Sequence, residues 1–176
     1  MSRAVTIPVG VIIARETAAH TWDDVRWRPV DILLDAPFAE WREVRRGQGF
    51  VHYHAATLPL ELDCRQVTAY RVNLANGVPS VYVGIQQHPA GGTEMPILVR
   101  SVSASPFEAQ GYRSGYQMVE RVPMPAQLVA RVESFIADHG HAAPCAKFSR
   151  RREMGEDLGF SLDGFKSFGG NVIHGK

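Results

Sequence analysis

Cysteine is scarce in this chain, and neither sign of charge is in excess. The 176 residues contain 2 cysteines, Cys64 and Cys145, which lie far apart in different contexts, so the sequence predicts two reduced thiols and no disulfide. Lysine and arginine total 19, against 18 for aspartate and glutamate. The net charge of +1 provides no overall field to attract nucleic acid or an anionic membrane, so we expect neither as a partner.

Long apolar runs are also missing. No window approaches the roughly 20 apolar residues that a bilayer-spanning helix needs. At the start of the chain, Thr6, Pro8 and Gly10 interrupt the apolar residues, and no small-residue cleavage site follows them. The sequence therefore predicts a cytoplasmic protein.

The sequence lacks the common catalytic motifs. It has no Gly-x-Ser-x-Gly nucleophile turn, and Gly91-Gly92 is followed by neither the lysine nor the helix of a phosphate-binding loop. Ser103 and Ser105 are placed for helix capping instead of nucleophilic attack. We therefore expect no cofactor, and the balance favours a protein that is not an enzyme.

Two loose groups of histidine and cysteine are candidate metal sites. In the first, His52 and His54 share one face of a strand and Cys64 follows ten residues later. The second lies in the run HGHAAPC from His139 to Cys145. Neither spacing matches a tetrahedral ligand pattern, and alternating polar residues are typical of the solvated face of a strand. The prediction is that no metal binds.

Alternating apolar residues indicate that the first half of the chain forms strands. Val5 to Ile13 alternates with a period of two, and so does Val25 to Leu34, where Pro29 indicates an edge strand or a bulge near Trp27. Three shorter candidates follow at Trp41 to Arg45, Phe50 to His54 and Leu58 to Leu62. Five consecutive strands predict an antiparallel meander.

Two short helices are indicated by capping residues. Asp63 with Gln66 three residues later forms a capping-box pattern, in which each side chain bonds a backbone N–H of the opening turn. Ser105, Pro106 and Glu108 supply an N-cap, a proline at the first helical position and the reciprocal carboxylate.

A third helix is predicted after Pro125, with apolar residues at helical spacing before Gly140: Leu128, Val129, Val132, Phe135 and Ile136. Further strands are predicted at residues 81–86, 96–102 and 118–122. Because strands and helices do not alternate regularly, we expect an α+β fold with a mostly antiparallel sheet, a meander with the option of barrel-like closure, and about three helices.

The domain organisation is predicted to be a single α+β domain at residues 1–140 and an irregular tail at 141–176. The tail is rich in glycine, serine and charge, yet it contains four phenylalanines, too many for a purely solvated linker. Part of it should therefore dock, either on a partner or on its own domain.

Two groups of residues are predicted to contact a partner. In the first, the polar side of a capped helix and the next strand present tyrosine and arginine, which are favoured at interface hot spots. Ordinary packing is the alternative for these residues. The second group lies in the tail, where a basic run and phenylalanines form a recognition segment or a solvated face. The predicted interaction residues are Tyr70, Arg71, Asn73, Tyr82, Arg150, Arg151, Arg152, Phe160 and Phe165.

Five stretches of the chain resemble, in the same order, a bacterial family known as domain of unknown function 3305. They are RWRPVDIL, YHAATLPLELD, TAYRVNLANGVPSVYV, SASPFEAQGY and ERVPMPAQLVARVESFI. The resemblance spans roughly Val9 to Ile136. It implies a small soluble protein of the kind usually encoded beside molybdenum-dependent formate dehydrogenase, a redox-enzyme maturation chaperone and ferredoxin-like proteins. It supplies no catalytic residue.

The expected function is therefore that of a non-catalytic accessory protein. Its expected partner is a molybdenum-dependent formate dehydrogenase or that enzyme's maturation chaperone. One alternative is a small enzyme or cofactor-handling protein for a pterin or nucleotide, which would be favoured by a deep polar pocket containing His52, His54 or Arg71. The other alternative is a structural subunit of a larger complex.

Overall fold

The computed structural model describes residues 3–17, 25–88, 95–112 and 117–140. In chain order the strands are β1 (Ala4–Thr17), β2 (Val25–Leu34), β3 (Glu40–Gly47), β4 (Phe50–Asp63), β5 (Ser80–Gln87), β6 (Ile97–Ser103) and β7 (Gln117–Pro123). The helices are α1 (Val67–Ala75), preceded by a 3-10 turn (Cys64–Gln66), then α2 (Pro106–Tyr112) and α3 (Ala126–His139).

The described strands form two antiparallel sheets, in the orders β2-β1-β4-β3 and β6-β5-β7. This confirms the α+β class with mostly antiparallel sheets and three helices. The simple meander and the option of closure were wrong, because β4 returns to pair with β1 and both sheets are open. β1 and β4 are the longest strands, and as central neighbours they bury apolar side chains.

Bulges explain two features of the strand pattern. The stretches 50–54 and 58–62 form one strand, because the alanine step between them is a bulge: Val11 pairs with Ala56 and Ile12 with His54, leaving Ala55 as the extra residue. The prediction for Pro29 is confirmed, since β2 is an edge strand whose register shifts between Ile12 and Ile13 of β1.

The capping residues act largely as predicted, with different partners for some side chains. Asp63 accepts from the Arg65 N–H at 2.8 Å, but Gln66 does not close the box: its Oε1 accepts from the Ser105 hydroxyl at 3.1 Å. Ser105 Oγ accepts from the Glu108 N–H at 3.3 Å, and the Glu108 carboxylate accepts from Ser103 Oγ at 2.7 Å. The second cap therefore joins α2 to β6.

The core lies between the four-stranded sheet, the three-stranded sheet and α3. Leu128, Val132 and Phe135 of α3 are buried, as their spacing predicted, and burial of each such side chain contributes about 1.5–3 kcal/mol. β2 lies against β7 and β4 against β6, so the two sheets meet along these strands. None of the described helices has the length and apolar character needed to cross a membrane.

Cys64 corrects one further expectation. It is disulfide-bonded, and the described residues include no free cysteine, so the prediction of two reduced thiols was wrong. Cys64 opens the turn before α1, and its N–H donates to the carbonyl of Arg3 at 3.0 Å, beside the start of β1.

Candidate functional site

Three of the residues predicted to face a partner are buried. Tyr70 and Asn73 are each 1% exposed and Tyr82 is 8% exposed. The Asn73 amide donates to the carbonyls of Ser80 at 2.7 Å and Ala104 at 2.8 Å, and its oxygen accepts from the Ser80 N–H at 3.0 Å. Asn73 therefore ties α1 to β5 and to the residues before α2, and the predicted surface does not form from these side chains.

Tyr70 has a structural role of the same kind. Its hydroxyl accepts from the Asp63 N–H at 2.9 Å, and its ring packs edge-on against Phe135, with centroids 6.2 Å apart. Burial raises the pKa of Tyr70 to about 12, so the phenol stays protonated. The ordinary-packing alternative accounts for this residue.

The remaining predicted residues lie apart from one another. Arg71 is exposed on α1, and a nitrogen of its guanidinium lies 3.4 Å from the Gly140 carbonyl oxygen. Tyr82 lines a cavity of about 260 Å³ between α2 and the three-stranded sheet, together with Arg121. Contact between Arg71 and a partner stays a prediction. Arg150, Arg151, Arg152, Phe160 and Phe165 lie outside the described residues.

A different group of residues forms the strongest candidate for a binding surface. Trp27 and Tyr53 stack with centroids 6.0 Å apart, and Trp41 meets them edge-on at 6.0 Å and 6.1 Å respectively. All three rings are half-buried, and both indoles pack against the core along one side. We call Trp27, Trp41 and Tyr53 the aromatic cluster.

Strand register brings the aromatic cluster onto one face. Tyr53 pairs with Ile13 and Trp27 pairs with Arg15, and paired residues of antiparallel strands point to the same side of the sheet. Trp27 and Trp41 lie on the two edge strands, β2 and β3, so their indoles meet over the central strands.

The backbone at Trp41 is strained. Its φ of 49° is in the left-handed region, which costs a residue with a Cβ about 1–2 kcal/mol. The surrounding pairs hold this conformation, because Glu40 pairs with Ala56 and Arg42 pairs with His54 on either side. Strain of this kind concentrates at functional sites, and here it accompanies the contact of Trp41 with both other rings.

Arginine lies on both faces of the sheet at the aromatic cluster. The Arg15 guanidinium carbon lies 5.9 Å from the centre of the Trp27 ring, and on the opposite face Arg45 lies 5.5 Å from the centre of Phe50. The segments 13–17, 25–29, 40–47 and 50–54 together carry six arginines and three glutamates, a local charge of +3. By strand register, Arg15 and Arg46 share the face of the aromatic cluster, and the others lie on the opposite face: Arg26, Arg28, Arg42 and Arg45.

Two of these arginines are paired with carboxylates. Arg28 bonds Glu16 through two nitrogens at 3.1 and 2.8 Å, and Arg46 bonds Glu43 at 3.0 and 2.6 Å. In each pair the hydrogen bond from the arginine is the main cause that lowers the pKa of the glutamate. By register the Arg46–Glu43 pair lies on the face of the aromatic cluster with Arg15, and the Arg28–Glu16 pair lies on the opposite face.

His54 lies on the opposite face of the same sheet and is 4% exposed. Its Nε2 is 3.0 Å from the Thr57 hydroxyl, which donates to the Pro37 carbonyl at 2.7 Å. Burial is the main cause that lowers the pKa of His54, and the positive charge of Arg42 acts in the same direction. A side chain at Gly10 would overlap the imidazole, so glycine is required opposite it.

The described residues contain no group of three or more histidine, cysteine, aspartate or glutamate side chains able to hold a metal. A second cavity, of about 450 Å³, lies between β1 and α3. His52, His54 and Arg71 line neither this cavity nor the one beside Tyr82. Sequence reasoning missed the aromatic cluster, although two tryptophans, each next to arginine in RWR and WR, were an available signal.

The fold and the candidate site define an α+β protein with two open antiparallel sheets and an arginine-flanked aromatic surface at one end of the larger sheet. A family model described as "Protein of unknown function (DUF3305)" matches residues 8–152, and the chain belongs to this family. The matched region continues beyond α3. No curated protein and no solved structure matches the chain.

Proposed function

We propose that this protein is a non-catalytic accessory protein that binds a protein partner through the aromatic cluster. The observation that carries the proposal is the contact of Trp27, Trp41 and Tyr53 in a half-exposed group beside Arg15. Tryptophan, tyrosine and arginine dominate the energetics of protein interfaces, because they bury a large area and keep a polar group for orientation.

The proposed partner is a molybdenum-dependent formate dehydrogenase or its maturation chaperone. The support for this partner is the resemblance to a family usually encoded beside these proteins. The Arg15 guanidinium beside the Trp27 ring adds a second expectation, that the contacted surface of the partner is acidic. Salt should therefore slow association while leaving the aromatic contact intact.

The test is a pull-down of the tagged full-length protein from its native host grown with formate and molybdate, followed by mass spectrometry. Formate dehydrogenase subunits or the chaperone should be enriched with the wild type and lost with Trp27→Ala. Phe107→Ala is the matched control, because it removes an aromatic side chain that is 51% exposed on α2, away from the cluster.

Binding measurements with the purified partner then give the size of the change in Kd. Removal of a hot-spot tryptophan should raise Kd by about 30-fold or more, whereas Phe107→Ala should leave Kd unchanged within about twofold. Arg15→Glu tests the charge expectation without removing a ring. Enrichment of neither partner protein, or equal enrichment with Trp27→Ala, would contradict the proposal.

A further inference from the structure

A groove lies between β1 and α3, apart from the aromatic cluster. Its volume is about 450 Å³, and its floor is made by Ile7, Leu62 and Phe135, which are buried, with Val5 at 40% exposure on the rim. Ser134 and Asp138 of α3 form the opposite wall. An apolar floor with a polar rim, on which both Asp138 and Arg131 lie, suits an aromatic side chain.

The chain itself continues from the end of this groove. His139, the last residue of α3, lines the groove, and Gly140 follows it. The family match runs on to residue 152, so the family unit includes the segment directly after α3. In that segment, 141–152, the one large apolar side chain is Phe148, and it lies between Lys147 and Arg150.

The chain can reach the groove easily. Phe148 follows Gly140 by eight residues, which span up to about 27 Å when extended. Cys64 lies two residues beyond Leu62 of the groove floor and is disulfide-bonded. The other cysteine of the sequence, Cys145, belongs to the same segment as Phe148. The short length of chain between Gly140 and Phe148 and the disulfide at Cys64 both favour this segment over a foreign ligand.

We propose that the groove between β1 and α3 is a docking site for residues 141–152 of the same chain, with Phe148 inserted between Val5 and Phe135. Asp138 is opposite in charge to the basic residues beside Phe148, and Arg131 in the same groove is paired with Asp35. The groove is therefore an intramolecular site, distinct from the aromatic cluster proposed to bind a partner.

Hydrogen exchange of the full-length protein tests the proposal directly. Amides of residues 146–152 should exchange at least about tenfold more slowly than those of residues 165–176, because docking protects the backbone. Phe148→Ala should remove most of this protection, and Phe168→Ala, the matched change later in the tail, should leave it intact. Neither variant alters the described domain, so failure to fold does not confuse the result.

A second pair of variants tests the groove. Ser134→Trp fills it and should abolish protection of residues 146–152, whereas Ala137→Trp, on the exposed side of α3, should not. Fast exchange of residues 146–152 in the wild type, or protection that survives Phe148→Ala, would overturn the proposal. Protection that depends on protein concentration, with a dimer in solution, would assign the groove to a second copy and overturn it equally.

Discussion

The buried pair of Tyr70 with Phe135 and the half-exposed aromatic cluster use the same ring geometry in different surroundings. The ring centroids are 6.2 Å apart in the buried pair and 6.0 to 6.1 Å apart in the cluster. Tyr70 lies under α3 and its hydroxyl has a backbone donor, whereas Trp27 and Trp41 keep part of their surface open. Ring contact alone therefore does not show whether an aromatic group stabilises the fold or binds a partner. The exposed fraction of the rings distinguishes the two roles.

The largest effect is expected from breaking the buried pair. Tyr70→Ala should destabilise the protein by about 3–5 kcal/mol, because it leaves a cavity beside Phe135 and removes the acceptor of the Asp63 N–H. Chemical denaturation measures the free energy of unfolding. Val72→Ala, at a residue of α1 that is 41% exposed, is the control and should change it by less than about 0.5 kcal/mol.

Removing the polar contact beside that pair should have the next largest effect. Asn73→Ala leaves the N–H of Ser80 and the carbonyls of Ser80 and Ala104 without this partner, which should cost about 2–4 kcal/mol. Asn76→Ala removes the same side chain from an exposed position at the end of α1. Equal unfolding free energies for the two variants would show that the Asn73 contacts contribute little.

In the aromatic cluster, a substitution should weaken partner binding more than it lowers stability. Trp27→Ala should lower the free energy of unfolding by only about 1–2 kcal/mol, since part of the ring is already exposed. Its effect on partner binding should be much larger, as proposed above. If Trp27→Ala destabilises the protein as strongly as Tyr70→Ala, the cluster belongs to the core and the contrast between the two groups fails.

The smallest expected effect is the pH dependence that comes from His54. Its pKa is lowered by burial from the ordinary 6.5, so the unfolded chain binds the proton more readily than the folded protein. The stability contributed by neutral His54 is complete above 6.5 and is lost as the pH falls from 6.5 toward the lower folded value.

Denaturation at pH 7.5 and at pH 5.5 measures this effect, with both pH values chosen at about one unit from the ordinary histidine pKa. His54→Gln should reduce the loss of stability between them. His52→Gln, on the same strand, controls for the removal of one imidazole. An unchanged pH dependence in His54→Gln would assign the loss to other groups.

Local sequence patterns predicted the elements well, and the reasons are visible in particular residues. The strand predicted over Val5 to Ile13, the Ser105 cap and the burial of Leu128, Val132 and Phe135 were each confirmed. Each depends on neighbours within a few positions along the chain. The split of β4 into two strands was wrong, because Ala55 forms a bulge that continues the pairing.

The candidate site could not be predicted from the same patterns. Tyr70 and Asn73 have side chains that favour interfaces, but their burial depends on where β5 and α3 pack against α1. Trp27 and Trp41 are distant in the sequence and lie on opposite edges of a sheet. A shift of one residue in either register would have turned one indole to the other face.

The sequence by itself determined the helices, most of the strands, the α+β class and the family, because these follow from side-chain spacing and capping over short distances. Only the tertiary structure decided which aromatic and polar side chains are buried and which remain open. Burial depends on long-range pairing, above all the return of β4 to β1, which fixes the face of the larger sheet that each side chain occupies.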